Sequence, residues 1–447
     1  MTLSGLPGKE IQLYSGVRLK PDTTRSVVSA FRRTGGSMRI HNRWFQLVAA
    51  VIAMVMIANL QYAWTLFVKP VQAGTGWKLS DIQLAFTLFI LFQTWVQPVQ
   101  GWLIDRMGPR IFTSVAAILC AIGWGGLGMA TSLPMFWTLY ILAGIGAALV
   151  YGGSIGSALK WFTDRRGLAA GVIAGGYGGG AALFTPIIAW VLSHYGYRQA
   201  FLWTGLFQGS VILIVAQFLR HPAPSAQPAA VRAPAVSTSI GTRQFTTGEM
   251  LRTPQFYLLY AMFLMMATGG LLVTANSGPM AASWGISVGF LTLATSLNAA
   301  ANGTSRIFWG WASDKIGRET AMAVAFLLQA VCLMLVLTLG RQSGILFTVT
   351  LVSVYLTWGE VFSLFPSLVG DYYGATHATS NYGVMYSAKG VASIIGGVVA
   401  ALLYESFGSW DACFYGSAAL ALAAAIMAFG LRASVAAPRA TGVSVPA

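Results

Sequence analysis

Apolar segments of membrane length recur along almost the whole of this 447-residue chain, and they constrain its fold more than any other feature. A helix needs about 20 apolar residues to cross a bilayer, and only helices and closed barrels satisfy their backbone polar groups there. The sequence therefore predicts an all-α integral membrane protein, surrounded by the lipid bilayer. Twelve transmembrane helices are predicted, at 44–68, 81–104, 111–131, 135–159, 168–194, 199–219, 255–282, 287–312, 320–339, 344–369, 381–407 and 411–431.

The composition agrees with this class of protein. Only 9% of the residues are charged and 56% are hydrophobic, whereas a soluble domain carries about 25% charged residues. The net charge of +15 comes mostly from Lys and Arg between the apolar segments, so it reflects topology and predicts no nucleic-acid partner. Cys120, Cys332 and Cys413 lie in apolar segments without metal-ligand or disulfide spacing. We expect no metal, no cofactor and no enzymatic activity.

The loops divide into a basic side and an opposite side. The opposite loops carry only Lys69, Lys78, Arg198 and Arg341, while the other loop Lys and Arg residues lie on the side of the two termini. By the positive-inside rule both termini are expected in the cytoplasm, with the chain in the inner (plasma) membrane. A start at Met38 instead of Met1 stays open.

The chain is expected to have five parts. A basic cytoplasmic tail (1–43) precedes a six-helix bundle (44–219), a cytoplasmic linker rich in Pro, Ala, Ser and Thr (220–254), a second six-helix bundle (255–432) and a C-terminal tail (433–447). Thr253 and Pro254 are predicted to begin the seventh helix as N-cap and first helical residue.

An internal repeat relates the two predicted bundles. GWLIDRMGPR at 101–110 returns as GWASDKIGRE at 310–319, an offset of 209 that also places Pro70 on Pro279. The fifth and eleventh segments align at an offset of 212, with Gly171 on Gly383. Two repeated bundles predict a cavity between them, with the substrate site near the middle of the membrane.

Two cations lie inside apolar segments. Arg306 shares a helix face with Asn298 and Asn302, and Lys389 shares one with Tyr386. Charged residues at membrane depth are costly and therefore usually functional. Their positions in the N-terminal half are occupied by the neutral Gln97 and Tyr177, respectively.

The supply of acids limits how these two cations are compensated. Only Glu360 lies at comparable depth, and one acid cannot neutralise both cations. Ion pairs that join helices are the alternative, but the shortage favours a bound anion. Arg presents a planar fork that matches a carboxylate, and Lys a point charge.

Aromatic and amide side chains near the predicted centre are further candidates for the wall of the cavity. Taken singly, each fits ordinary helix packing or a position at the membrane interface better than ligand contact. They are Gln61, Tyr62, Trp64, Tyr151, Tyr177, Trp358 and Phe362.

The glycine-and-charge turns at 101–110 and 310–319 resemble the loop motif of the major facilitator superfamily. That resemblance implies a role in switching between access states for Asp105, Arg106, Asp314 and Lys315. Longer stretches, including YGGSIGSALKWFTDRRGLAAG, FWGWASDKIGR and NYGVMYSAKGVASIIGG, resemble the oxalate:formate antiporter family within it. The similarity covers nearly everything from Asn42 to about Arg432.

The resemblance also implies roles for the central residues. In that family an intramembrane Arg and Lys clasp the two carboxylates of the substrate, and they match Arg306 in GTSRIFWG and Lys389 in YSAKG. The surrounding cage maps to Gln61, Tyr62, Gln83, Tyr151, Tyr177 and Trp358.

Three positions depart from the family pattern. Phe362 replaces a Tyr, Tyr386 replaces a Trp, and Glu360 replaces a small residue. An acid in the cavity would favour monoanions or carry a coupling proton. Since Glu360 is two residues from both Trp358 and Phe362, helical geometry instead predicts that it points away from their face.

We therefore expect a monomeric secondary transporter that exchanges small carboxylate anions by alternating access of its two bundles. A proton-coupled monocarboxylate symporter, with Glu360 as the titrating group, is the first alternative. A transporter-like carboxylate sensor is the second.

Overall fold

The computed structural model describes residues 42–162, 166–220, 244–374 and 377–436. Within these ranges nearly every residue is helical and none is in a strand. The predicted tails (1–43 and 433–447) and the linker (220–254) lie mostly outside the described residues, so their boundaries stay predictions.

The N-terminal half contains the first six spans, numbered here in chain order. Span 1 consists of two helices, Arg43–Tyr62 and Trp64–Thr75. Span 2 begins with Leu79–Trp95 and continues into Gln97–Gly126, whose non-helical residue Gly108 separates span 2 from span 3. Leu133–Trp161 is span 4, and Arg166–Ala216 is divided at the non-helical Gly196 into spans 5 and 6.

The C-terminal half repeats this arrangement. Pro254–Ser283 is span 7, begins at the predicted N-cap Thr253, and is followed by span 8, Val288–Ile316. Three spans are composite: span 9 is Arg318–Leu335 with the π-helical Val336–Gly340, span 10 is Gly344–Trp358 with Val361–Tyr373, and span 11 is Ala378–Ser393, the π-helical Ile394–Val399 and Ala400–Phe407. Span 12 is Asp411–Ala436.

Nine helical segments of the described chain are both long and apolar enough to cross a membrane. One of them, Gly171–Ala216, holds two spans, and the shorter apolar helix Leu79–Trp95 begins a further one. The helix Val288–Ile316 completes the twelve, and it carries Asn298, Asn302 and Arg306 as buried residues. Span 8, which carries Arg306, is thus among the least hydrophobic of the spans.

The internal repeat extends to backbone geometry. Gly108 and Gly317 end spans 2 and 8 with nearly the same positive-φ, extended-ψ conformation, at φ 72°, ψ 156° and φ 88°, ψ 151°. A residue with a Cβ is strained at such φ values, which explains a glycine at both places. The two glycines are 209 residues apart in the chain, the offset of the sequence repeat.

The two halves meet along three pairs of spans, which are 1 with 7, 2 with 11, and 5 with 8. Spans 5 and 8 approach closely because Gly178 faces Gly303, where a Cβ on Gly178 would lie 3.2 Å from the Gly303 Cα. On the side opposite the basic loops, Glu405 accepts hydrogen bonds of 2.8 Å from both the backbone N–H and the hydroxyl of Ser80. The halves are therefore tied together on that side.

Helix packing inside the N-terminal half generates a stability prediction. A Cβ added at Gly144 of span 4 would lie 2.5 Å from the Phe89 carbonyl oxygen of span 2. We expect Gly144→Ala to destabilise the protein by about 1–3 kcal/mol, because backbone atoms must move to relieve the contact. Thermal unfolding in detergent is the measurement. Gly416→Ala, where a Cβ meets nothing within 4 Å, is the control. Equal melting temperatures for the two variants would contradict the prediction.

Candidate functional site

Arg306 lies on span 8 with its guanidinium at the boundary between the halves. Nη1 donates a 3.3 Å hydrogen bond to the carbonyl of Ala174 on span 5. Cζ lies 4.5 Å from the ring centroid of Phe362, within the range of a cation–π contact. Nε is buried and has no hydrogen-bond partner among the described residues. The guanidinium therefore keeps unused donor capacity.

Lys389 is fully buried on span 11 and is surrounded by neutral oxygens. Nζ donates to Gln61 Oε1 at 2.9 Å, to Gln93 Oε1 at 3.1 Å and to the hydroxyl of Tyr386 at 3.3 Å. It also lies 5.7 Å from the Phe362 ring centroid. One phenyl ring thus contacts both intramembrane cations, which brings them to a single site.

Neither cation has a protein counter-ion among the described residues. The ion pairs found there are those of Arg318, which bonds Asp314 at 2.7 Å and Asp371 at 3.5 Å near the ends of spans 8 and 10. Glu360 is also buried, yet both of its carboxylate oxygens lack a hydrogen-bond partner. The central site therefore carries uncompensated positive charge.

Aromatic rings form a continuous wall around the two cations and join the halves. Tyr177 packs against Tyr62 and Tyr151, with ring centroids 5.5 Å and 5.4 Å apart. Tyr151 stacks on Tyr386 of the other half at 6.1 Å. Tyr386 contacts Phe362 at 6.1 Å, and Phe362 contacts Trp358 at 5.2 Å.

Several buried donors at this site have no acceptor in the part of the chain that the structure describes. They are Nε of Arg306, Nε2 of Gln61 and Nε1 of Trp358. A buried donor left unpaired costs about 1–3 kcal/mol, so an acceptor placed among them would be stabilising. Excess positive charge together with unpaired donors suits a small anion bearing several oxygens.

The glutamine of the site that the sequence analysis did not select is Gln93. Its Oε1 accepts from Lys389, and its Nε2 donates to the Tyr177 hydroxyl at 2.8 Å. Tyr177 donates in turn to Gln61 at 2.7 Å. An amide within the apolar helix Leu79–Trp95 was the available signal. Asn302 also reaches the site, donating to the Tyr62 hydroxyl at 2.9 Å.

Gln83 belongs to the boundary between the halves instead of the cationic centre. Its Oε1 accepts from Trp64 Nε1 at 3.0 Å. Its Nε2 donates to the Ala275 carbonyl and to Asn276 Oδ1, at 2.8 Å and 3.0 Å. These bonds join spans 1, 2 and 7, so the structure does not bring Gln83 together with Lys389 as a hydrogen-bond partner.

Glu360 lies where span 10 is interrupted between Trp358 and Val361. Thr357, one turn earlier, donates to Gln329 of span 9 within the same half. No hydrogen bond or ion pair connects Glu360 with Arg306 or Lys389 in the described chain. Helical spacing predicts that the Glu360 side chain points away from the face of Trp358 and Phe362, and the isolation of Glu360 is consistent with that prediction.

The structure describes the side chains of the repeated turns, 101–110 and 310–319, only in part. The side chain of Asp105 lies outside the described residues, and Arg106 is exposed at the end of span 2. In the second turn Asp314 pairs with Arg318, whereas Lys315 places Nζ 4.2 Å from the Trp311 ring. The cation bonded to Asp314 is therefore Arg318 and not its neighbour in sequence.

Comparisons with known proteins agree with this architecture. The family model of the Major Facilitator Superfamily matches residues 47–278 and 258–445. The oxalate:formate antiporter of Oxalobacter formigenes is 41% identical over 373 residues, which cover 83% of this chain and 87% of that protein.

More distant relatives match a similar share of this chain. The uncharacterized MFS-type transporter YhjX of Escherichia coli (strain K12) is 27% identical, over 79% of this chain and 86% of its own length. Monocarboxylate transporter 12-B of Danio rerio is 24% identical, over 80% of this chain and 79% of its own. With twelve spans in two repeated halves and a match along nearly its whole length, the chain belongs to the major facilitator superfamily and, within it, to the oxalate:formate antiporter family.

Proposed function

We propose that this protein is a secondary transporter that exchanges small carboxylate anions, of the oxalate and formate class, by alternating access. One observation carries the proposal: two buried cations contact the same phenyl ring, and neither has an acidic partner in the described chain. A relative that is 41% identical is named an oxalate:formate antiporter, which supports the same substrate class.

The site chemistry supports the assignment of ligands. Arg306 offers a planar fork for one carboxylate, and Lys389 a point charge for a second. Gln61 and Trp358 supply unpaired donors beside them. The rings of Tyr62, Tyr151, Tyr177, Tyr386 and Phe362 form the aromatic wall of this site.

Obligatory exchange follows from the cost of the empty site. Glutamine oxygens and ring faces offset only part of the free-energy cost of burying a cation. A low-dielectric surrounding increases the part of that cost that is not offset. An anion removes most of that cost. We infer that the loaded carrier changes access state readily and the empty carrier slowly, which is the behaviour of an antiporter and requires no catalytic chemistry.

The proposed topology rests on the uneven distribution of Lys and Arg between the loops on the two sides of the membrane. The basic side, with both termini and the linker, faces the cytoplasm of a cell whose inner (plasma) membrane holds the protein. Residues 44–219 and 255–432 are the two moving bundles, and the protein acts as a monomer. Asp105 and Arg106 at the end of span 2, and Asp314, Lys315 and Arg318 around the end of span 8, are the groups at the cytoplasmic ends that change partners during switching.

Proton-coupled monocarboxylate symport is the second candidate, because Glu360 is fully buried and its carboxylate has no hydrogen-bond partner among the described residues. A group of this kind can exchange a proton when the cavity opens. Its isolation from Arg306 and Lys389 favours the exchange proposal, since a coupling acid is expected to share the substrate site.

Removing either central cation should abolish exchange. Arg306→Gln and Lys389→Gln each leave the anion with only one cationic partner, and losing a charge-assisted hydrogen bond costs about 1.5–3 kcal/mol. Oxalate–formate exchange in proteoliposomes is the measurement. Arg341→Gln, on an exposed loop, makes the same change of charge and should transport normally. A near-normal rate in either central variant would remove that residue from the site.

Arg306→Lys should also fail, although it preserves the charge. A lysine cannot reproduce the planar fork that grips a carboxylate with two parallel bonds, so we expect oxalate affinity to fall by about tenfold or more. Titration of the purified protein measures this affinity. Full affinity in Arg306→Lys would mean that position 306 supplies charge alone.

Glu360→Gln separates the two candidate functions. If the acid is structural, the neutral isostere should leave the preference between oxalate and lactate unchanged and should raise the melting temperature, because an unpaired buried charge is no longer possible. Both affinities and uptake are measured with and without a proton gradient. Stronger oxalate binding, together with loss of pH-driven lactate uptake, would favour the symporter.

A further inference from the structure

Span 11 departs from α-helical geometry one turn beyond Lys389. Ala378–Ser393 is α-helical, Ile394–Val399 is π-helical, and Ala400–Phe407 is α-helical again. The Ala400 N–H donates to the carbonyl of Ile395, five residues earlier. A π-turn inserts one extra residue into a helix and is frequent at functional sites.

Thr87 of span 2 contacts this π-turn from the other half of the molecule. Its buried hydroxyl donates to the Ser393 carbonyl at 2.9 Å and accepts from the Val398 N–H at 3.3 Å. These two backbone groups are five residues apart, the separation that a π-turn pairs. Gly397 leaves the necessary space, since a Cβ there would lie 2.4 Å from Thr87 Oγ1.

The extra residue changes which side chains share a face of span 11. At about 100° per residue, an uninterrupted α-helix would turn Glu405 by about 120° from Ser393. One inserted residue reduces that angle to about 20°. Ser393 bonds Thr87, Glu405 bonds Ser80, and Lys389, one turn before Ser393, bonds Gln61. The π-turn thus lets all three face the N-terminal half.

We propose that Thr87 is a positioning residue for Lys389: its hydroxyl holds the π-turn that aims the lysine into the site. This inference rests on the proposed function only in treating Lys389 as a ligand of the anion. Because Thr87 belongs to the opposite half, its support exists only while the halves touch on the side of Ser80 and Glu405. When the halves separate on that side, the π-turn loses the Thr87 hydroxyl. Relaxation to an α-helix then turns Lys389 by about 100° about the helix axis, relative to the segment Ala400–Phe407. Lys389 therefore binds the anion in states that are closed on the side of Ser80 and Glu405, and releases it as that side opens.

The first test compares Thr87→Val, which removes the hydroxyl at nearly constant volume, with Thr87→Ser, which keeps it. We expect Thr87→Val to weaken oxalate binding by about tenfold or more, as expected for losing one charged hydrogen bond, and to spare formate, which Arg306 alone can hold. Thr87→Ser should restore oxalate binding. Thr87→Val should add no further loss to Lys389→Gln.

A matched control is Thr138→Val on span 4, whose exposed hydroxyl bonds the Pro134 carbonyl of its own helix at 2.8 Å. It should bind both anions as the wild type does. Equal weakening of oxalate and formate by Thr87→Val, failure of Thr87→Ser to restore binding, or an additional loss in the Lys389→Gln background would overturn the proposal. If Thr87→Val does not fold, Gly397→Ala displaces the same hydroxyl and is measured in the same way.

A second test does not depend on the substrate. Lys389→Cys is introduced into a variant without Cys120, Cys332 and Cys413, and its rate of reaction with a small thiol reagent is measured with and without Thr87→Val. A several-fold change in rate is expected if span 11 turns, and an unchanged rate would overturn the positioning role. If the wild type binds neither anion, the proposed function fails by itself, while this labelling still decides the role of Thr87.

Discussion

Two positive charges buried in the middle of the membrane are the constraint on which the rest of this structure depends. Transfer of a cation from water into a protein interior costs several kcal/mol even after the surroundings relax. The protein surrounds Arg306 and Lys389 with a backbone carbonyl, two glutamine oxygens and the face of Phe362. Dipoles and ring quadrupoles recover part of the cost, but they leave the net charge in place. Such a site suits the anion that the proposed function places there.

The neutral groups that stabilise the cations also join the two halves. Lys389 reaches Gln61 and Gln93 across the boundary, and Arg306 reaches the Ala174 carbonyl. Both cations belong to the C-terminal half, so any separation of the halves at this level removes these acceptors from them. Closure and charge compensation are therefore coupled. In the proposed exchange, an anion bound to Arg306 supplies compensating charge while the N-terminal half moves away, which gives alternating access a physical basis.

The sequence predicted the twelve spans, their repeat and both cations, because each leaves a periodic or chemical signal within one helix. Other features depend on which helix lies opposite. Gln83 and Gln93 are equally polar, yet ten residues of α-helix place them about 80° apart, so that one bonds span 7 and the other Lys389. Likewise, Asp314 is followed by the cations Lys315 and Arg318, and the ion pair forms with Arg318, beyond the positive-φ residue Gly317.

Span 11 shows the same dependence on the opposite half most clearly. The repeat relates the contact between spans 2 and 11 to that between spans 8 and 5, with Ser296 corresponding to Thr87 and Ala181 to Ser393. Ser296, however, bonds the Thr292 carbonyl of its own helix at 2.9 Å, and span 5 is α-helical at Ala181. Of these two related contacts, the one with an inserted hydroxyl and a π-turn is the one that carries Lys389. The halves share their topology, but the site is asymmetric because a side chain of one half sets the backbone geometry of the other.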